Sequence, residues 1–405
     1  MVKLTQSETS SRLSLPVPVH SLGISQIAAY GLMFYVFALL KTPLAANAGV
    51  EESRILAALT GCLLIQAMVA PWVGSLVDRL GALWVMKHGF FLGALGMLIL
   101  PMVSSFVWIV ISMIPIGIAF AMTTYEIAFG AAVQMNEARA RKNISYITFY
   151  GGVASSITWI SVAPLLSNFG LEITCAVIAV ILFAMGMRAG TLDRSINFGA
   201  GRQKSEVKPF RWSAMSREEK VALVTLAASS AFEYMVFAGT TLLWIKWFSQ
   251  QFGPETGVLL ASLYGPFQVV GRLLEMRFGH QFDARYTGVI AFAMIPFSIL
   301  LAQSQSLILV MAGMMIFGMG HGILTVSFGY VTNMYFRAEV YGRAKGWITT
   351  PRALGNAIGP SVGGMLFLMG SAIYFKAMVV LSCLAGLVFL FLLTVRPGNI
   401  VKDDT

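Results

Sequence analysis

The stretch "GSLVDRLG", Gly74–Gly81, closes one apolar block of the chain, and a stretch of the same build, "GRLLEMRFG", Gly271–Gly279, closes another in the second half. Each sets a glycine four residues before an acid and follows the acid with arginine and a second glycine. A charged turn repeated in this way suggests an internal duplication, and its meaning depends on the solvent around the blocks it separates.

That solvent is a bilayer. Hydrophobic residues make up 57% of the 405 and charged residues 11%, with a mean hydropathy of +0.76, against about 45–50% apolar and 25% charged in soluble domains. The apolar residues form blocks of roughly 20, the length of a helix crossing a hydrocarbon core, and lack the alternation of a transmembrane strand. An all-α membrane protein is therefore expected. The first block follows a polar tail and runs on to Leu40 without a small-residue cleavage site, so it reads as a span and not as a cleaved signal. Cys62, Cys175 and Cys383 lie in separate blocks without metal-ligand spacing, which suggests neither disulfides nor a metal site, and they read as small core residues. The net charge of +10 is dispersed over short loops, which points to topology and not to nucleic acid.

Cutting at charges and Gly/Pro turns gives spans near 20–40, 53–77, 83–104, 106–135, 144–166 and 171–187, then 221–248, 257–276, 287–301, 306–335, 347–368 and 372–394. This is twelve transmembrane helices in two pseudo-symmetric six-helix bundles, residues 1–187 and 221–405. They are joined by a basic linker, 188–220, whose Gly, Ser and Pro content suits a solvated connector. Arg79, Lys87, Arg139, Arg141, Lys142, Arg277, Arg285, Arg337, Arg343 and Lys345 all fall on alternate loops. The positive-inside rule then places both termini in the cytoplasm, in a multi-pass protein of the cell inner (plasma) membrane.

Span count, central linker and paired turn together resemble the major facilitator superfamily, whose loop motif is G-x-L-x-D-R-x-G-R-R. Gly74, Leu76, Asp78, Arg79 and Gly81 match it, while Ala82 and Leu83 replace the terminal basic pair. The resemblance implies a latch at the cytoplasmic face built on Gly74, Asp78, Arg79 and Gly81. Physically, Gly74 lets two helices approach and Asp78 can accept hydrogen bonds from a neighbouring helix N-terminus. A second family pattern, g-x8-G-x3-G-P-x2-G-G, is usual in the fifth span but occurs here in the eleventh, as Gly346, Gly355, Gly359, Pro360, Gly363 and Gly364. Gly355, Gly359, Pro360 and Gly363 are thus expected to form a closely packed, bending gate helix. A third pattern, linked in the family to proton-driven drug export, keeps only Gly117 and Ala121 in the fourth span.

A charge at mid-bilayer costs at least ~2.5–3.5 kcal/mol, so an ionisable residue there needs water or a partner. Glu126, the one charged residue between Phe106 and Met135, lies near mid-depth, as do Glu233 and His321. Gln26, Tyr30 and Phe34 share one face of the first span at four-residue spacing. These fall on spans 1, 4, 7 and 10, which line the central cavity of the resembled fold, and Tyr125 is added there as an aromatic. Arg352, in the eleventh span, could hold an anionic substrate or neutralise one of the glutamates.

The expected function is secondary active transport of a small organic solute by alternating access, with protons as coupling ion, Glu126 and Glu233 as the candidate proton-coupling or substrate-pairing carboxylates, export slightly favoured, and the chain acting as a monomer without cofactor. Uptake of a nutrient or vitamin, and a non-transporting receptor or scaffold, are the alternatives. No nucleotide phosphate loop supports primary pumping, and the four histidines lack the paired spacing of an enzyme site.

Overall fold

In lipid every backbone polar group must be satisfied within its own segment, which for long apolar blocks leaves the helix. A computed structural model of the protein describes residues 17–102, 105–137, 139–196 and 210–398, and every regular element among them is a helix. Helix α1 (Val17–Tyr30) passes through a π-helical turn, Gly31–Tyr35, into α2 (Phe37–Ala48). Then follow α3 (Glu52–Leu80), α4 (Ala82–Ile99), α5 (Phe106–Thr123), α6 (Tyr125–Met135), α7 (Ala140–Gly152) and α8 (Ala154–Ile196). After the residues left undescribed come α9 (Arg217–Phe252), α10 (Pro254–Ser262), α11 (Tyr264–Phe278), α12 (Ala284–Leu301), α13 (Leu307–Tyr335), α14 (Tyr341–Leu368) and α15 (Ser371–Leu390).

Ten helices among the described residues are long and apolar enough to cross a membrane. The other two expected spans are the ones at 144–166 and 347–368. The first is divided, because α7 stops at Gly152 and the chain resumes as α8, which itself reverses at Gly170, a glycine with φ of 76° that a side chain would strain. The second is α14, 28 residues long, which carries Arg343, Lys345, Arg352 and several Thr and Gly and is too polar to count among the ten. The expected linker, 188–220, is helical at both of its ends. Residues up to Ile196 remain helical, and Ser216 starts α9 with a reciprocal capping box to Glu219, its hydroxyl accepting from the Glu219 amide at 3.1 Å and its own amide donating to the carboxylate at 2.8 Å. The linker's centre, 197–209, lies outside the described residues.

Large apolar side chains cover the outside of the molecule, and its apolar core encloses a set of charged and polar ones. Trp72, Met102, Trp108, Ile160, Ile308 and Leu368 are exposed, whereas Gln26, Asp78, Glu126, Arg141, Glu233, Arg272, Glu275, His321 and Lys345 are buried. Cys62 and Cys175 are core residues as expected; Cys383 is exposed on α15.

The helices before the linker meet those after it through α3 with α14, α7 with α11 and α13, and α6 with α13 and α14. Along α3 and α14 the contact runs from Gly74 against Gly342, through Ala70 against Gly346, to Ala67, whose carbonyl accepts from Thr350 Oγ1 at 2.8 Å. Further along, α14 turns its glycines to α9 instead: a Cβ at Gly355, Gly359 or Gly363 would overlap the carbonyls of Ala231, Met235 or Gly239. The two parts of the chain are thus joined at one end, the end bearing Gly74–Gly81.

Candidate functional site

The fourth apolar block does not form the continuous helix its composition suggests. It breaks at Thr124, whose ψ of −176° is extended, so that α6 begins anew at Tyr125 inside the protein. The Thr123 hydroxyl turns back to the Ala119 carbonyl at 2.8 Å, a local bond that competes with helix continuation. The Ile127 amide bonds to the Thr124 carbonyl, which frees the carbonyl of Thr123, and Gln26 Nε2 fills it at 3.0 Å. That is why a buried glutamine sits on α1. Non-helical backbone at this depth is tolerated only where protein or a cavity satisfies it.

The break puts Glu126 in the first turn of α6, where the helix dipole favours an anion. Its carboxylate accepts from Thr124 Oγ1 at 3.0 Å and forms an ion pair with Arg352 of α14. The Arg352 guanidinium in turn lies 4.9 Å from the ring centre of Tyr234 on α9, a cation–π contact. Of the two roles open to Arg352, pairing with a glutamate is the one seen. Glu233 on α9 accepts from, or shares a proton with, His321 Nδ1 on α13 at 2.6 Å. Phe237 stacks on the imidazole with ring centres 3.9 Å apart, and the second Glu233 oxygen has no partner among the described residues. Two pairs therefore occupy the centre. One holds the carboxylate with a guanidinium, and the other with an imidazole.

Tyr30 and Phe34 both pack on Phe120, and Tyr30 also meets Tyr125, so one face of the first span faces the broken fourth block. The Tyr125 hydroxyl donates to the Thr148 carbonyl at 3.2 Å, a carbonyl that Arg272 Nη1 of α11 shares at 2.7 Å. Arg272 thus bridges from α11 to α7 and is buried.

At the joined end, α14 starts at Tyr341 without a side-chain cap of its own. Asp78 of α3 supplies one from outside: it accepts from the amides of Gly342 at 2.8 Å and Arg343 at 3.0 Å and from Arg343 Nε at 2.7 Å. The first-turn amides of a helix are otherwise unsatisfied, so a buried carboxylate there answers both their hydrogen bonds and their dipole. Gly74 is required because a Cβ would overlap the Gly342 carbonyl. Gly81, at φ of 90°, makes the turn into α4, which Gln134 holds by accepting from Ala82 N at 2.9 Å and donating to Val77 O at 3.2 Å. Arg79 is exposed; the cation on Asp78 is Arg343. The second copy of the turn makes a contact of its own: Glu275 accepts from Arg141 Nη2 at 2.6 Å and Thr287 Oγ1 at 3.1 Å, and Arg141 Nη1 donates to Phe282 O at 2.8 Å.

Sequence reading missed Arg343, Arg141 and Glu275 as partners, Lys345 as a buried charge and Tyr234 as the ring beneath Arg352. The duplicated turn was the signal for Glu275. The cations were hidden because they lie near span ends and count equally well as loop charges.

The fold is that of a multi-span helical membrane protein in which buried charges link two sets of helices. The model of the Major Facilitator Superfamily matches residues 22–349, and the chain is a member of that superfamily, a secondary transporter. No curated protein matches it significantly. Among solved structures it is similar to a bacterial homologue of the iron transporter ferroportin in the outward-facing state, at TM-score 0.75 and 13% identity over 94% of this chain and all of that one. It is also similar to the human organic anion transporter MFSD10 (TETRAN), at TM-score 0.67 and 16% identity over 93% of this chain and 100% of that one. The proton:xylose symporter XylE gives TM-score 0.68 and 12% identity over 93% and 95% of the two chains.

Proposed function

We propose that the protein moves a small organic solute by alternating access, driven by protons, through twelve crossings arranged as two six-helix halves, 1–187 and 221–405, about the linker 188–220. The observation that carries this reading is that the two parts of the chain are tied at one end by Asp78 with α14 and Arg141 with Glu275, and at mid-depth by Glu126 with Arg352. Each tie must open for the opposite end to close. With the basic loops and both termini in the cytoplasm of an inner membrane, the joined end is the cytoplasmic one, and the conformation is outward-facing.

The similar folds are named for an organic anion, iron and xylose, so likeness of fold chooses no solute. Coupling is assigned to Glu233 with His321, not to Glu126, because Glu126 is already engaged by Arg352 as a mid-depth tether, whereas one Glu233 oxygen has no partner among the described residues. Tyr30, Phe34 and Tyr125 then face the solute path with Gln26 holding the break. Export is the proposed direction, from the glycine–proline face of α14, and a monomer suffices for it.

Spin labels on the joined-end turns of α3 and α14 test this. Two distance populations should exchange as pH is varied in proteoliposomes. Glu233→Gln should abolish the pH response, while Glu126→Gln should shift the populations and leave them pH-dependent. A single, pH-independent distance would remove the transport cycle and leave a receptor or scaffold. A pH response lost in Glu126→Gln and kept in Glu233→Gln would return the proton to Glu126.

A further inference from the structure

The cation of the Asp78 contact has a second partner, and it comes from the end of the linker. Arg343 Nε donates to the Asp78 carboxylate at 2.7 Å, and the same guanidinium lies over the ring of Phe210, its central carbon 5.5 Å from the ring centre. Phe210 in turn meets the ring of Phe336, a wholly buried residue just past the end of α13, with ring centres 6.2 Å apart. One aromatic residue of the linker therefore touches both α14's first-turn arginine and the turn that leads into α14.

The chain between Phe210 and α9 is short and fastened. Trp212–Ala214 is a single 3-10 turn in which the Ala214 amide donates to the Arg211 carbonyl at 2.9 Å, and the Lys220 ammonium of α9 lies 5.7 Å from the centre of the Trp212 ring. With the Ser216 capping box, these contacts fix where Phe210 stands. The position matters because a long arginine gives up rotamer freedom when it pairs, and near water that loss can cancel the gain from the ion pair. The Arg343 side chain is 13% exposed, against 0% for Asp78. A ring face already laid on the guanidinium removes part of the loss in advance and adds an attraction of its own.

We infer that Phe210 is a positioning residue of the joined-end latch: it presents the Arg343 guanidinium to Asp78, so that the end of the linker, and not α3 and α14 alone, sets how firmly that end is shut. The inference rests on the transport reading only in taking the contact as one that opens.

The test uses the full chain, in proteoliposomes with spin labels on the joined-end turns of α3 and α14 to read the ratio of closed to open populations, and in detergent with thermal unfolding. Phe210→Leu keeps an apolar side chain against Phe336 but removes the ring face, and should lower the closed-to-open ratio about fivefold, as loss of a cation–π contact at a partly exposed site does. Phe210→Tyr, which keeps the face, should stay within about twofold of the parent. In an Arg343→Met background no cation remains, so Phe210→Leu should change the ratio by less than about twofold and lower the unfolding midpoint less than it does in the parent. Phe210→Met repeats the comparison if Phe210→Leu folds poorly. Equal effects of Phe210→Leu with and without the Arg343 cation, or a Phe210→Tyr as damaging as Phe210→Leu, would overturn the assignment. A single distance in every variant, with a midpoint effect of Phe210→Leu that vanishes in Arg343→Met, keeps the positioning role and removes the transport reading; two exchanging populations whose ratio ignores Phe210→Leu do the reverse.

Discussion

The two copies of the glycine–acid–arginine–glycine turn end in different chemistry. Asp78 meets mainly backbone, capping the N-terminus of α14 through two amides with Arg343 added on one side. Glu275 meets side chains, Arg141 and Thr287, and Arg141 is itself fixed by the Phe282 carbonyl and stands 5.4 Å from the centre of the Tyr330 ring. The glycines differ too. Gly74 faces α14 across the two parts of the chain, whereas Gly271 faces the Met319 carbonyl of α13, within the same part. One signature therefore yields a latch that lasts as long as a helix end is present and another that depends on one guanidinium.

The largest expected effect follows from that dependence. Arg141→Ala strands Glu275 in a buried site, and loss of one partner of such a pair costs about 3–5 kcal/mol, so the apparent unfolding midpoint should fall steeply. Arg343→Ala, which leaves both amides on Asp78, should cost about 1–2 kcal/mol. Equal losses from the two would end the distinction between a backbone and a side-chain latch.

Next is Asp78→Asn, which keeps the shape but withdraws the charge from the helix dipole and from Arg343. The protein should remain folded and inserted, with spin-label distances across α3 and α14 moving toward the open population and transport falling. Unchanged distances with normal flux would make Asp78 a loop anchor only.

The glycines sharpen the comparison further. Gly74→Ala should open the joined end with little loss of fold, while Gly271→Ala should lower stability without changing the α3–α14 distance, because each added methyl pushes apart a different helix pair. On the gate side, Gly359→Leu should reduce transport per folded molecule. The smallest effect belongs to Arg79→Ala, an exposed position at which a change within about 0.5 kcal/mol and a normal α3–α14 distance are expected. A large effect there would restore Arg79 to the latch.

Much of this was legible without coordinates, for a reason particular to membranes. Charges are so costly in hydrocarbon that Glu126, Glu233 and His321 stand out by position alone. What could not be read was the pairing: Glu126 and Arg352 lie 226 residues apart, and Glu233 and His321 88 apart, with no local pattern tying them. The break at Thr124 was equally hidden, since neither Gly nor Pro marks it and its cause is a competing hydroxyl bond with a distant glutamine to take the freed carbonyl.

The sequence by itself determined that the chain is a helical membrane protein, where most of its helices run, which superfamily turn it carries and which ionisable residues interrupt its apolar blocks, because the bilayer acts on composition and on segment length. The tertiary structure alone decided which charge meets which, that Arg343 and not Arg79 completes the Asp78 contact, and that Lys345 is an interior side chain and not part of a solvated loop. Those outcomes depend on how helices distant in sequence are brought side by side, and an electrostatic partner is defined by distance in space, not by position along the chain.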